Sequence, residues 1–294
     1  MKKIAILGID NSHAWSFAKF LAPKEGEKVV EGFELLGVYG DYETEDGKKG
    51  KEEIEKIANC PCFAEHYNDF VEQADAVMVT ARDGAEHLKF AEEYIKKGIP
   101  VWIDKPITRD TDEVCKMVEL AKKHNCLLTG GSGLVHIPSV VEFKENLKTL
   151  KYPIGGGHVT APVNFDNPYG GFWFYTQHLV QMMTFIFGND VKAVRALREG
   201  NEVHAIYYYD DYTVSTYYGA NYSITVYDDG AFTRTEAINL DGKFYTYEFK
   251  DFCELIETGK PNMTDADIIA PVYIIDATIK AYTEDKRIEI KMPF

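Results

Sequence analysis

Ile99-Pro100-Val101-Trp102-Ile103-Asp104-Lys105-Pro106 is the stretch that decides how this chain folds. A short apolar, β-rich run that stops on a lysine and a proline reads as a buried strand with one ammonium group at its carboxyl edge. Ligands bind at that edge in open α/β sheets. Proline fixes φ and removes a backbone donor, so the turn holds the lysine in one position. Lys105 is therefore the leading candidate for a functional cation. The plainer reading is a surface lysine that happens to follow a strand.

The same texture recurs on either side, at residues 4–9, 33–39, 76–80 and 127–129. Short apolar runs of this kind suit strands covered on both faces. Helical spacing separates them. Leu88, Ala91 and Ile95 lead to Gly98 as a C′ residue, and Val114, Met117, Val118 and Ala121 follow a cap at Thr108 or Asp110. The alternation predicts an α/β fold that opens with a Rossmann-like parallel sheet and right-handed crossovers.

Beyond Gly130-Gly131 the pattern changes. Residues 203–209, 213–218 and 222–227 read as consecutive strands, turned at Asp210-Asp211 and Asp228-Asp229-Gly230, and residues 244–249 add another. The expected C-terminal domain is α+β with a mainly antiparallel, tyrosine-rich sheet whose outer face suits a subunit interface. Thr264-Asp265-Ala266-Asp267 opens a helix lined by Ile268, Val272, Ile275, Ile279 and Tyr282. The division expected is 1–127 for a dinucleotide-binding domain and 128–294 for an α/β substrate and oligomerisation domain. Gly155-Gly156-Gly157 reads as a loop, and His136 and His158 as structural.

A formal net charge of −15 without a basic stripe argues against a nucleic-acid or anionic-membrane partner. Met1-Lys2-Lys3 precedes only a few apolar residues before Asp10, too few for a signal peptide or a spanning helix. Cys60, Cys62, Cys115, Cys126 and Cys253 are irregularly spaced and complete no metal-ligand set. Reduced thiols in a cytoplasm, and no metal, are expected.

Lys2-Lys3-Ile4-Ala5-Ile6-Leu7-Gly8 has the texture of the first strand of a dinucleotide-binding fold. The turn after it reads Gly8-Ile9-Asp10-Asn11-Ser12-His13, keeping only the first glycine of G-x-G-x-x-G. Asp10 falls where the backbone should approach a pyrophosphate. If it capped the helix there, two charges about 4 Å apart would repel by roughly 4 kcal/mol at an effective dielectric of 20. That reduces micromolar binding to roughly millimolar. Either Asp10 turns away or the chain binds the dinucleotide poorly; the first is expected. Asp41, after the second strand, is placed to accept from a ribose, or is a solvated loop acid. Tyr42 and Glu43 beside it offer no cation for a 2′-phosphate, so NAD is preferred over NADP.

Three stretches together resemble the glucose–fructose oxidoreductase and inositol dehydrogenase family (Gfo/Idh/MocA). Residues 75–80, with His87 on the following helix, are similar to the family's third strand and nucleotide-contacting loop. Asp104-Lys105-Pro106 is similar to its E-K-P string, with aspartate for glutamate. Ile256-Glu257-Thr258-Gly259-Lys260-Pro261 resembles its usual ending. The resemblance implies hydride transfer between a nicotinamide cofactor and a secondary hydroxyl of a sugar, inositol or related polyol, in a homodimer or homotetramer. It makes Lys105 and His178 catalytic, and gives cofactor contacts to Gly8, Asn11, Ser12, His13, Asp41, Thr80, His87 and Asp104. His178 lies where the family has D-x-G-x-H-x-x-D, but Phe174, Thr176 and Gln181 replace the aspartates and glycine. Gln181 can orient the ring without neutralising imidazolium.

Plainer readings stand beside these. His178 is otherwise a packed helix histidine, and His13 a solvated residue at a helix start. Trp173, Tyr175 and Tyr169 either stack on a sugar ring, with Gln181 beside them, or belong to the core. The altered turn and missing aspartates also motivate a non-catalytic binding or regulatory protein on the same scaffold. Lyase or glycosidase chemistry that borrows a bound NAD is the third alternative.

Overall fold

A computed structural model describes residues 1–230, 233–240 and 242–294. The chain forms two compact units, neither a single continuous stretch. The first holds Met1–Thr108, Asp112–Gly130 and Gly242–Thr264; the second holds Arg109–Thr111, Gly131–Asp241 and Asp265–Phe294.

The chain begins with β1 (Lys2–Leu7), α1 (Ser12–Leu21), β2 (Phe33–Tyr39), α2 (Glu45–Ile57), β3 (Phe63–Ala64) and β4 (Ala76–Val79). It continues through α3 (His87–Lys96), β5 (Val101–Asp104), α4 (Thr111–His124) and β6 (Leu128–Gly131). Six strands form a parallel sheet in the order β3-β2-β1-β4-β5-β6. The order reverses beside β1, which creates a switch point at the carboxyl ends of β1 and β4. Every residue of β4 and β5 is buried. That accounts for the unbroken apolar runs, since both faces are covered.

Then come α5 (Pro138–Leu147), β7 (Ile154–Ala161), α6 (Trp173–Phe187), β8 (Ala193–Glu199), β9 (Glu202–Tyr208), β10 (Thr213–Tyr218), β11 (Ser223–Asp228) and β12 (Thr233–Ala237). The last elements are α7 (Phe244–Thr258), α8 (Asp265–Thr283) and β13 (Ile288–Glu289). The second sheet runs β12-β11-β7-β10-β9-β8-β13, antiparallel throughout except for the parallel pair β7 and β10. Inside this unit the Tyr207 hydroxyl lies 2.7 Å from that of Tyr218 and 2.9 Å from Thr278 Oγ1, so two fully buried tyrosines satisfy each other.

Two local expectations are corrected. Gly155-Gly156-Gly157 is not a loop but part of β7, where a Cβ at Gly157 would lie 2.1 Å from the Phe187 ring. The glycine lets the strand pass under that ring. Residues 244–249 are not a strand but the first turns of α7. Aromatic residues there suggested β propensity, yet Tyr245, Phe249 and Phe252 follow an i, i+4, i+7 spacing that lines one helix face. Phe249 stacks on Phe17 with centroids 6.0 Å apart, and Phe17 meets Trp102 edge-on at 5.2 Å. A buried aromatic of this size is worth about 2–3 kcal/mol, which outweighs the modest preference of an aromatic run for a strand.

Candidate functional site

The turn after β1 is built on backbone contacts. Gly8 has φ +92°, and a Cβ there would lie 2.3 Å from the Ala81 backbone nitrogen, so only glycine fits. Thr80 Oγ1 donates to Gly8 O at 2.6 Å, and Asn11 Nδ2 donates to Thr80 O. Asn11 Oδ1 caps α1, accepting from the amides of His13 at 2.7 Å and Ala14 at 3.4 Å. Asp10 is turned elsewhere: its two oxygens accept from the Arg82 amide at 3.1 and 3.2 Å. Burial pushes the Asp10 carboxyl up, against the pull of the Arg82 amide and charge.

An uncharged cap, a first turn without acidic residues and a diverted Asp10 leave the N-terminus of α1 compatible with a phosphate. Ser12 is exposed on that first turn. Asp41 is exposed beyond β2, and its Oδ1 accepts from the Glu43 amide at 3.1 Å. Thr80 and His87 are fully buried. His87 Nδ1 lies 3.1 Å from Ile107 O, and Nε2 lies 2.8 Å from Ala81 O. With both nitrogens on backbone carbonyls, the His87 ring braces the segments after β4 and β5.

At the end of β5 the first unit holds a cluster of buried charges. Asp104 is 2% exposed; its Oδ1 accepts from the Lys105 amide at 2.6 Å, and its Oδ2 lies 2.7 Å from His13 Nδ1. Burial pushes Asp104 up, but the positive potential of His13, Lys105 and His87 outweighs it and holds the carboxyl below its ordinary range. Burial pushes the Lys105 ammonium down, opposed by Asp104 and Glu248.

Glu248 of α7 was not foreseen. Its face of the helix, shared with Tyr245, meets α1, where the Tyr245 and His13 rings lie 4.5 Å apart. Glu248 is 3% exposed, and its Oε1 has no hydrogen-bond partner. Burial, then the charge of Asp104, pushes its carboxyl far above the ordinary range. Reading 244–252 with helical period would have put this acid on the inner face.

The second unit holds a different group. His178 on α6 is buried, and its Nδ1 lies 2.7 Å from Ser132 Oγ. Gln181, one helical turn on, accepts at Oε1 from the Ser132 amide at 2.7 Å and from Gln177 Nε2 at 3.1 Å. Gly131, with φ +92°, leaves room for this amide; a Cβ would lie 2.3 Å from Gln181 Oε1. Tyr175 and Tyr222 flank the imidazole, with centroids 6.3 and 5.9 Å away. Trp173 is half-buried at the start of α6. The structure thus joins His178, Gln181 and Tyr175 and adds Ser132, which no sequence motif marked. Among the described residues no cluster of His, Cys, Asp or Glu could hold a metal ion, and no helix is long and apolar enough to cross a membrane.

Residues 2–132 match a family described as an oxidoreductase family with an NAD-binding Rossmann fold. No curated protein sequence matches the chain. Among solved structures, the fold is similar to a probable dehydrogenase from Thermotoga maritima, at TM-score 0.81 and 16% identity, covering 98% of each chain. It is also similar to myo-inositol dehydrogenase from Lactobacillus casei in complex with NAD(H) and myo-inositol, at TM-score 0.83 and 11% identity, covering 100% of this chain and 98% of that one. The apo scyllo-inositol dehydrogenase of the same organism aligns at TM-score 0.82 and 15% identity, over 98% of each chain.

Proposed function

We propose, from the premise that the N-terminal domain of this chain belongs to the Gfo/Idh/MocA oxidoreductases with an NAD-binding Rossmann fold, that the protein is an NAD-dependent dehydrogenase. Its substrate in this reading is a secondary hydroxyl of a sugar, inositol or related polyol. The observation that carries it is Lys105: a buried ammonium beside Asp104, at the carboxyl edge of a sheet ordered β3-β2-β1-β4-β5-β6.

Bound NAD would take up the hydride. The α1 N-terminus would hold its phosphates, and Asp41 the ribose hydroxyls. Lys105 would stabilise negative charge developing on the substrate oxygen. His178, with Tyr175, Trp173 and Gln181 near it in sequence, would contact the reacting hydroxyl and the sugar ring. The inositol dehydrogenases of similar fold support a polyol. Leu197 and Ile206, 57% and 42% exposed on neighbouring strands β8 and β9, support self-association through the second sheet. Light scattering on the purified protein tests the dimer or tetramer.

The experiment for the activity is cofactor reduction across a panel of polyols and sugars, with Lys105→Ala as control. Turnover unchanged in the variant removes Lys105 from the mechanism. NAD binding without turnover on any substrate favours the binding-protein reading, which the replacement of the family's aspartates by Phe174 and Gln181 also motivates.

A further inference from the structure

We propose that Ser132 fixes His178 as a neutral ring with its proton on Nε2, making it a hydrogen-bond donor to substrate oxygen rather than a base. The inference rests on the reading of His178 as a substrate-contacting residue and assigns it a narrower task.

The argument begins with the serine hydroxyl. Ser132 is fully buried, and its Oγ has two polar neighbours: the Leu134 amide at 3.2 Å and His178 Nδ1 at 2.7 Å. The amide can only donate, so it takes one oxygen lone pair. The hydroxyl hydrogen is then satisfied only by pointing at Nδ1, which must accept it. Were Nδ1 protonated, Oγ would accept twice and its own hydrogen would be stranded in a dry interior. That penalty biases the ring toward the Nε2–H form by roughly tenfold or more.

The backbone at Ser132 is held in place. Its amide is held by Gln181 Oε1 at 2.7 Å, the same oxygen that accepts from Gln177. A carboxylate at this place would do the opposite, accepting from Nδ1–H, exposing a lone pair at Nε2 and supporting imidazolium. A hydroxyl cannot carry that countercharge. A neutral Nε2–H polarises a carbonyl or steadies an alkoxide without giving up its proton, since imidazolate is too basic a product. The hydroxyl proton released on alcohol oxidation then passes to a base other than His178.

Nitrogen-15 side-chain NMR on histidine-labelled protein tests this, with His178 assigned from His178→Asn. The wild type is expected to show one form, Nε2 protonated and Nδ1 accepting. Ser132→Thr should keep that form, Ser132→Ala should give a mixture, and Ser132→Asp should move the proton to Nδ1 and raise the midpoint of imidazolium formation. Backbone amide spectra confirm that each variant is folded. A wild-type ring protonated at Nδ1, or an identical tautomer balance in Ser132→Ala and Ser132→Thr, overturns the proposal. The measurement needs neither cofactor nor substrate, so its failure is distinct from an absence of turnover on the polyol panel.

Discussion

Two buried polar groups in this chain meet the cost of burial differently. At the end of β5, Asp104, Lys105 and Glu248 are all at least nine-tenths buried; Asp104 and Lys105 support each other's charge, while burial and Asp104 push Glu248 toward its neutral form. Around α6, Ser132, His178, Gln177 and Gln181 bury a comparable amount of polarity as a chain of neutral hydrogen bonds. Desolvating ions is expensive unless each finds a partner, so the first group gives up stability and gains groups whose protonation is easily moved. The second depends instead on geometry, because a neutral network fails as soon as one donor loses its acceptor. The comparison teaches that titration belongs to the β5 cluster and orientation to the α6 network.

The largest effect should come from removing the buried cation. Lys105→Met is expected to lower kcat/KM on a responsive polyol by about 10²–10³-fold, in a steady-state assay of reduced cofactor. His178→Asn, which keeps a donor, should lose much less. Equal losses would break the division of roles.

Next is a matched pair of glycines. Gly8 and Gly131 share φ +92°, but a Cβ at Gly8 strikes backbone whereas one at Gly131 strikes the end of a movable side chain. Gly8→Ala should cost about 3 kcal/mol or more, and Gly131→Ala about 1–2 kcal/mol, measured by urea unfolding. A reversed order would show that the α6 network is the more rigid of the two.

Glu248→Gln should have a smaller effect that depends on pH. Because Glu248 titrates well above its unfolded value, folding takes up a proton between the ordinary glutamate range and that raised value. Stability contributed by its neutral form is therefore lost as pH rises through that window. The glutamine variant should flatten the slope and gain about 1 kcal/mol at its upper end. Asp104 has the opposite sign: it is held low, so its contribution is lost as pH falls through its folded value. An unchanged pH dependence of unfolding in Glu248→Gln would remove that acid from the charged cluster.

The smallest change is expected at Asp10. Its carboxylate is occupied by the Arg82 amide, so Asp10→Asn should alter NAD affinity by less than about threefold, under about 1 kcal/mol. Calorimetric titration measures it. A large gain in affinity would mean that the acid competes with phosphate after all.

Much of the architecture was legible because it depends on local periodicity. Buried parallel strands need unbroken apolar runs, helices between them need a 3.6-residue stripe, and Pro106 marks where β5 must stop. Lys105 was legible for the same reason, as the residue at a strand end. Residues 244–249 were misread because their aromatic run suits a strand until Phe249 and Phe252 are counted together with Tyr245. Gly155–Gly157 were misread because nothing local announces the Phe187 ring that passes over them.

The amino-acid order alone determined the strand-and-helix alternation, the position of the β5 lysine and the altered first turn. Tertiary structure decided the company each group keeps: Asp10 with the Arg82 amide, Glu248 with the charges at β5, and Ser132 with an imidazole 46 residues away. The physical reason is range. Propensity and hydrophobic period act over a few neighbouring residues, whereas the proton on a buried side chain is set by whatever atom packing brings within 3 Å of it.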